Sequence, residues 1–237
     1  MPEIITLYHG STRRIEKPEF GKGNPSNDYG IGFYCTENLE LAKEWACNSQ
    51  KGGFANAYSL DTSDIAVLEL AGSKYGILDW LAVLINNRVF DTTSQMAAEA
   101  KEYLSEHFLP DVRAFDIVRG YRADDSYFTF AMDFLSSTIS LRQLSHAMSL
   151  GSLGEQLVLK SSKAFKKLSF VGSETADGAI YFAKRQNRDK EAREQYLKRG
   201  RKTARRSDDI FMIDILREEM TRSDARLQQD ISFSCSK

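Results

Sequence analysis

Cysteine is scarce in this chain: three among 237 residues, at Cys35, Cys47 and Cys235, an odd number with no paired spacing. That pattern argues against a disulfide framework, and without a histidine cluster it argues against a zinc site as well. Of the histidines, His107 and His146 have no partner at metal-ligand spacing and read as surface residues on helices; no metal is expected. Long apolar runs are missing too. None approaches the ~20 residues that a membrane span needs, and the opening Met1-Pro2-Glu3-Ile4-Ile5-Thr6 lacks the basic and apolar regions of a signal peptide. The expectation is a soluble, cytoplasmic protein with no membrane contact. Neither Ser11 nor Ser162 has a neighbouring histidine, so a hydrolase triad gains no support, and no internal repeat stands out.

What the chain does have is material for a core: 42% hydrophobic residues, with 14 Phe and 10 Tyr. Its length suits one domain with an appendage, or two small domains. The formal net charge of −1 conceals an asymmetry. Between Lys184 and Arg206 stand eleven Lys/Arg against three acids, a net of +8. Residues 1–183 then carry −6 and residues 207–237 carry −3. A basic strap beside an acidic body invites a polyanionic partner. The competing readings are a solvated helix face, docking on the acidic body, or contact with an acidic inhibitor protein.

Patterning predicts strands at Glu3–His9, Ile31–Cys35, Ala57–Leu60, Ala66–Leu70, Phe115–Val118 and Gln156–Lys160. It predicts helices from Thr36 (as cap) to about Gln50, at Gly76–Asn86, Ser94–His107, Ser126–Phe134 and Ser140–Met148, over Tyr181–Tyr196, and an amphipathic one over Asp209–Leu227. Short strands scattered among helices, without β-α alternation, give an α+β fold.

Two pieces of sequence carry the functional signal. The first is Leu7-Tyr8-His9-Gly10-Ser11; about twenty residues later comes Asp28-Tyr29-Gly30-Ile31-Gly32-Phe33-Tyr34-Cys35-Thr36. A His-Gly pair ending a strand sets an imidazole beside backbone with no Cβ to obstruct a ligand. The Gly-x-Gly-aromatic-Tyr turn adds a flat ring at a second strand edge. The pair resembles the donor-loop signature of the diphtheria-toxin-like and PARP-like ADP-ribosyltransferases. Two further positions agree with it across residues 4–160. Trp45, eleven past Tyr34, matches the family's second stacking aromatic, and Gly154-Glu155-Gln156-Leu157-Val158-Leu159 resembles the strand that the family's catalytic glutamate precedes. Two positions depart from the pattern. Gln156 stands in the catalytic slot with Glu155 one place earlier, and Ala42 stands where PARPs have a serine for the nicotinamide amide.

The resemblance implies a bacterial His-Tyr-Gln member of that superfamily, with a split mixed β-sheet flanked by helices. A catalytic domain over residues 1–172 is followed by a helical extension, 173–237, that contains the basic segment 184–206. It implies NAD as co-substrate, mono-ADP-ribosylation of a protein or nucleic acid, and release of nicotinamide. Breaking the nicotinamide–ribose bond passes through an oxocarbenium-like centre, which the site must orient and stabilise. His9, Tyr34 and Gln156 are the implied catalytic residues, and His9, Gly10, Ser11, Gly32, Tyr34 and Trp45 the NAD-binding ones. His9 is assigned to a ribose hydroxyl, Gly10 peptide groups to the carboxamide, and Tyr34 and Trp45 to the nicotinamide ring. Strand alternation favours Gln156 over Glu155, since neighbouring side chains point to opposite faces. An amide cannot act as general base, and poly-ADP-ribosylation is not expected. Members of this kind are often toxins with a neutralising antitoxin partner, or enzymes of phage defence; the alternative is a non-catalytic ADP-ribose or nucleic-acid binding module. Arg119-Gly120-Tyr121-Arg122-Ala123-Asp124-Asp125 reads either as the acceptor side of the cleft or as a turn whose aspartate caps the next helix.

Overall fold

In the computed structural model, which describes residues 4–70, 72, 74–89, 94–123, 125–148, 154–200 and 206–228, one backbone bridge ties two sheets together. Tyr8 and Thr36 exchange hydrogen bonds of 2.7 and 2.9 Å. Tyr8 lies in β1 (Ile4–Ser11), and Thr36 follows β2 (Phe33–Cys35). The chain continues through α1 (Leu39–Ala46), β3 (Gly53–Asp61), β4 (Val67–Glu69), α2 (Ile77–Asn87), α3 (Gln95–His107) and β5 (Ile117–Tyr121). It ends with α4 (Asp125–Leu135), α5 (Leu141–Met148), β6 (Glu155–Leu159), α6 (Ser162–Lys166), β7 (Leu168–Ala176), α7 (Gly178–Gln195), α8 (Met212–Arg217) and α9 (Ala225–Gln228). One sheet runs β1-β3-β7 and is antiparallel; the other runs β2-β6-β5-β4, with only the β4–β5 pair parallel. The architecture is α+β, as the pattern of short strands and helices implies.

Three local readings change. Thr36 does not cap α1, because its backbone is committed to the bridge with Tyr8. Asn38 caps the helix instead, its Oδ1 accepting from Leu41 N at 3.1 Å. β7 is not among the expected strands, and the boundary expected at 172/173 falls inside it, where the strand pairs with β3 through Ala176. The single amphipathic helix expected over Asp209–Leu227 is two short helices. The chain turns at Glu219 (φ 51°), and Ile210, Met212, Ile215 and Met220 face the core, while Ile213 and Leu216 are only half-buried.

The main core gathers around α2, whose Leu78, Trp80, Leu81, Val83, Leu84 and Ile85 are all buried. The C-terminal part packs on the body through salt bridges. Arg188 grips Glu44 of α1 with two bonds of 2.7 and 2.9 Å, Arg142 grips Asp209 at 2.8 and 2.9 Å, and Arg222 meets the buried Asp79 at 2.6 Å. In each pair the carboxylate is almost fully buried. Breaking one such pair strands a buried charge and costs about 3–5 kcal/mol. The basic segment therefore docks on the acidic body through Lys184, bonded to Glu40 at 3.0 Å, and Arg188. Arg201, Lys202 and Arg205 lie outside the described residues. Cys35 and Cys47 are buried free thiols, and Cys235 is outside the described residues. Among the described residues no helix is long and apolar enough to cross a membrane, and no cluster of side chains forms a metal site.

Candidate functional site

A cavity of about 260 Å³ opens where the two sheets part, lined by His9, Gly10, Asn27, Asp28, Tyr34, Trp45, Arg88, Arg122, Ala123, Gln156 and Arg185. Five of the residues singled out in the sequence, His9, Gly10, Tyr34, Trp45 and Gln156, meet here from β1, β2, α1 and β6. Ser11 and Gly32 do not line it. Ser11 accepts from Arg13 N at 3.2 Å and turns the chain out of β1. Gly32 is needed for packing, since a Cβ there would lie 2.5 Å from Val158 Cγ1 and 2.9 Å from Leu159 O.

Gly10 serves the site in a second way, besides offering its peptide groups. Its missing Cβ faces α1, where a methyl would press into Ala42 O and lie 2.7 Å from Ala46 N. The glycine lets α1 lie directly on β1, and thereby sets Trp45 at the cavity wall. Ala42 is fully buried in that contact and is not a lining residue. The peptide groups of Gly10 remain available by strand alternation. Those of Tyr8 point away from β3 toward Thr36, so those of Gly10, two residues on, point the same way, past the end of the bridge and into the cavity.

The His9 ring is fixed in one tautomer. Nδ1 lies 2.7 Å from Tyr34 O, and a carbonyl only accepts, so Nδ1 carries the proton and Nε2 is an acceptor. The ring stacks on Phe33, centroids 4.4 Å apart. Burial holds the imidazole below its ordinary value of 6.5, outweighing the upward pull of the bond to Tyr34. Neutral His9 is thus the resting form at pH 7. An NMR titration is expected to place its midpoint below 6.5. The unfolded chain binds this proton at about 6.5 and the folded chain only at lower pH, so His9 subtracts stability as pH falls from 6.5 to that midpoint. A midpoint above 6.5 would contradict this assignment.

Tyr34 donates to Gly30 O at 2.6 Å and accepts from Tyr29 N at 3.1 Å. Burial pushes its phenol well above the ordinary range, so it acts as a neutral ring that also ties the Tyr29-Gly30 turn. Trp45 carries the Arg122 guanidinium 4.7 Å from its ring centroid. Its indole N–H is buried and has no hydrogen-bond partner among the described residues.

Gln156 is 3% exposed. Its Nε2 donates to Asp28 Oδ2 at 3.0 Å and to Tyr121 O at 3.4 Å. Both partners can only accept, so the amide nitrogen must face them, and Oε1 is left as the atom for a ligand. Asp28 is itself buried and saturated. It accepts from Arg88 Nε at 2.7 Å and from Ala123 N at 2.9 Å. Glu155 points to the opposite face of β6, where it bonds Arg119 at 2.7 Å beside Glu37 and Glu69.

Asp28, Arg88 and Arg185 are not among the residues expected at the site. Asp28 sits in a loop of breaker residues, and its partner Arg88 is sixty positions away at the end of α2. Of the segment Arg119–Asp125, Arg122 and Ala123 line the cavity; Asp124 is outside the described residues, and Asp125 begins α4.

The chain belongs to the family described as "Protein of unknown function (DUF3990)", whose model matches residues 5–170, from within β1 to within β7. No curated protein and no solved structure matches it.

Proposed function

We propose that this protein is an NAD-dependent mono-ADP-ribosyltransferase, transferring ADP-ribose to a protein or nucleic-acid acceptor with release of nicotinamide. One observation carries the reading: His9, Gly10, Tyr34, Trp45 and Gln156, widely separated along the sequence, line a single cavity. Their chemistry suits that donor. A strand edge at Gly10 offers one N–H and one C=O, the complement of a primary carboxamide. The Tyr34 and Trp45 rings provide flat faces for a cationic heterocycle, a contact worth ~0.5–2 kcal/mol. Neutral His9 presents Nε2 to a ribose hydroxyl, and Gln156 Oε1 accepts from another.

NAD supplies a glycosidic bond whose cleavage leaves positive charge on the ribose. Gln156 orients that ribose through its amide oxygen, and Asp28 holds the amide in register. Gln156 supplies no base, since its amide cannot take a proton, and the Asp28 carboxylate beside it is already held by three donors. The reading therefore favours an acceptor that needs little help in deprotonation.

Incubation with labelled NAD and candidate acceptors, followed by mass spectrometry, tests for transfer. Calorimetry tests the clamp. Tyr34→Ala is expected to weaken NAD binding by ~1 kcal/mol or more, whereas Tyr34→Phe, which keeps the ring and loses the two bonds to the Tyr29-Gly30 turn, retains most of the affinity. Equal affinity for wild type and Tyr34→Ala would remove the clamp.

A further inference from the structure

Arg185 reaches the cavity from α7, beyond the residues that the family model matches. Its placement follows from how α7 is docked. Tyr181 and Lys184 bond Glu40 of α1, each at 3.0 Å, and Arg188 forks onto Glu44. Positions 181, 184, 185 and 188 share one face of a helix, so the contacts that pin α7 to α1 also aim Arg185 at the cavity. Lys184 and Arg188 are spent on docking. Arg185 has no carboxylate partner among the described residues and is only half-buried.

The side chains lining the cavity comprise three guanidiniums, Arg88, Arg122 and Arg185, and one carboxylate, Asp28. With His9 neutral, the lining sums to +2, and Asp28 is directly engaged with Arg88. A partly enclosed wall with surplus positive charge favours a compact dianion, and the guanidinium fork matches phosphate oxygens. At about 260 Å³ the cavity lies just under the usual range for ligand pockets, so it takes part of a dinucleotide and leaves the remainder outside.

We infer that Arg185, with Arg122 beside it, binds the diphosphate of a dinucleotide ligand, so that the C-terminal extension forms one wall of the binding site. This rests on the donor reading above for the ligand's identity, though not for the anion site itself. The basic segment then has a role inside the molecule: part of it docks α7, and one residue of it reads the ligand.

The test is calorimetry on the full chain with ADP-ribose, inorganic diphosphate and adenosine, comparing wild type with Arg185→Ala, Arg185→Lys and Lys190→Ala. Lys190 is an exposed cation of the same helix, so its removal controls for net charge. Arg185→Ala is expected to weaken ADP-ribose and diphosphate at least tenfold and leave adenosine unchanged. Arg185→Lys should fall between, and Lys190→Ala should match wild type. Equal weakening by Arg185→Ala and Lys190→Ala would overturn the inference in favour of a diffuse charge effect. ADP-ribose bound equally by wild type and Arg185→Ala would overturn it while leaving the donor reading in place. Diphosphate bound through Arg185, with neither ADP-ribose nor NAD bound, would support the anion site and remove the donor reading.

Discussion

Gln156→Ala is expected to abolish ADP-ribose transfer, lowering kcat by about 100-fold or more, the usual cost of losing one group that acts on transition-state charge. NAD affinity should change little, because the rings of Tyr34 and Trp45 and the edge of Gly10 are untouched. The fold should survive too. Asp28 loses one donor and keeps Arg88 and Ala123 N, a change on the scale of one hydrogen bond, ~1–2 kcal/mol. Glu155→Ala serves as the internal control. Glu155 stands on the other face of β6, half-exposed, in the carboxylate group around Arg119, and its loss should alter kcat by less than about threefold, as expected of a side chain turned away from the reacting group. Single-turnover assays alongside calorimetry separate the two effects. The reverse ranking would mean that the reactive strand is read one residue out of register.

That ranking is legible in the sequence alone, because period-two alternation in a strand is a local property. The same holds for the starts of α3 and α5: Ser94 and Ser140, where the expected helices begin, accept hydrogen bonds from Ala97 N and Gln143 N. Other features are hidden there because distant partners decide them. Thr36 has the composition of a cap and sits in the right place, but Tyr8 claims its backbone. β7, Leu168–Ala176, lacks a clean alternation because much of its length is exposed; only pairing with β3 makes it a strand. Asp28 reads as loop punctuation, and nothing near it in sequence signals that Arg88, Ala123 and Gln156 converge on its carboxylate. The motif puts Gly10 in the right place for an incomplete reason, since its missing Cβ accommodates α1 while its peptide groups face the cavity. Arg185 is, in sequence, one charge in a run of eleven. Its separate role depends on which face of α7 meets Glu40 and Glu44, and a charge count cannot supply that.

The second large effect concerns the substitution that the family pattern itself suggests. Gln156→Glu would put a carboxylate in the catalytic slot, yet here it is expected to damage the protein. The new oxygen would replace Nε2, now 3.0 Å from Asp28 Oδ2. Two carboxylates would then face each other in a buried site, with one guanidinium, Arg88, bonded to Asp28. Such a pair cannot both ionise cheaply, and one proton is held to a raised apparent pKa. The sign of the pH dependence follows. In the unfolded chain the introduced carboxyl loses its proton near the ordinary value of about 4.3, whereas the folded pair keeps it to higher pH. The variant therefore loses stability as pH rises between those two values. Asp28→Asn alone should also be costly, by about 1–3 kcal/mol, because the half-buried Arg88 guanidinium loses its carboxylate and keeps only its bond to Ala123 O. The double variant Asp28→Asn/Gln156→Glu restores the charge count: one carboxylate, one amide, one guanidinium. It should therefore be more stable than the sum of the single effects predicts, with a coupling of about 1–3 kcal/mol in a double-mutant cycle. Urea unfolding at pH 5 and pH 8 measures each of these effects. Single effects that add to within about 0.5 kcal/mol, or a Gln156→Glu protein as stable at pH 8 as at pH 5, would show that Asp28 and Gln156 do not act as a unit.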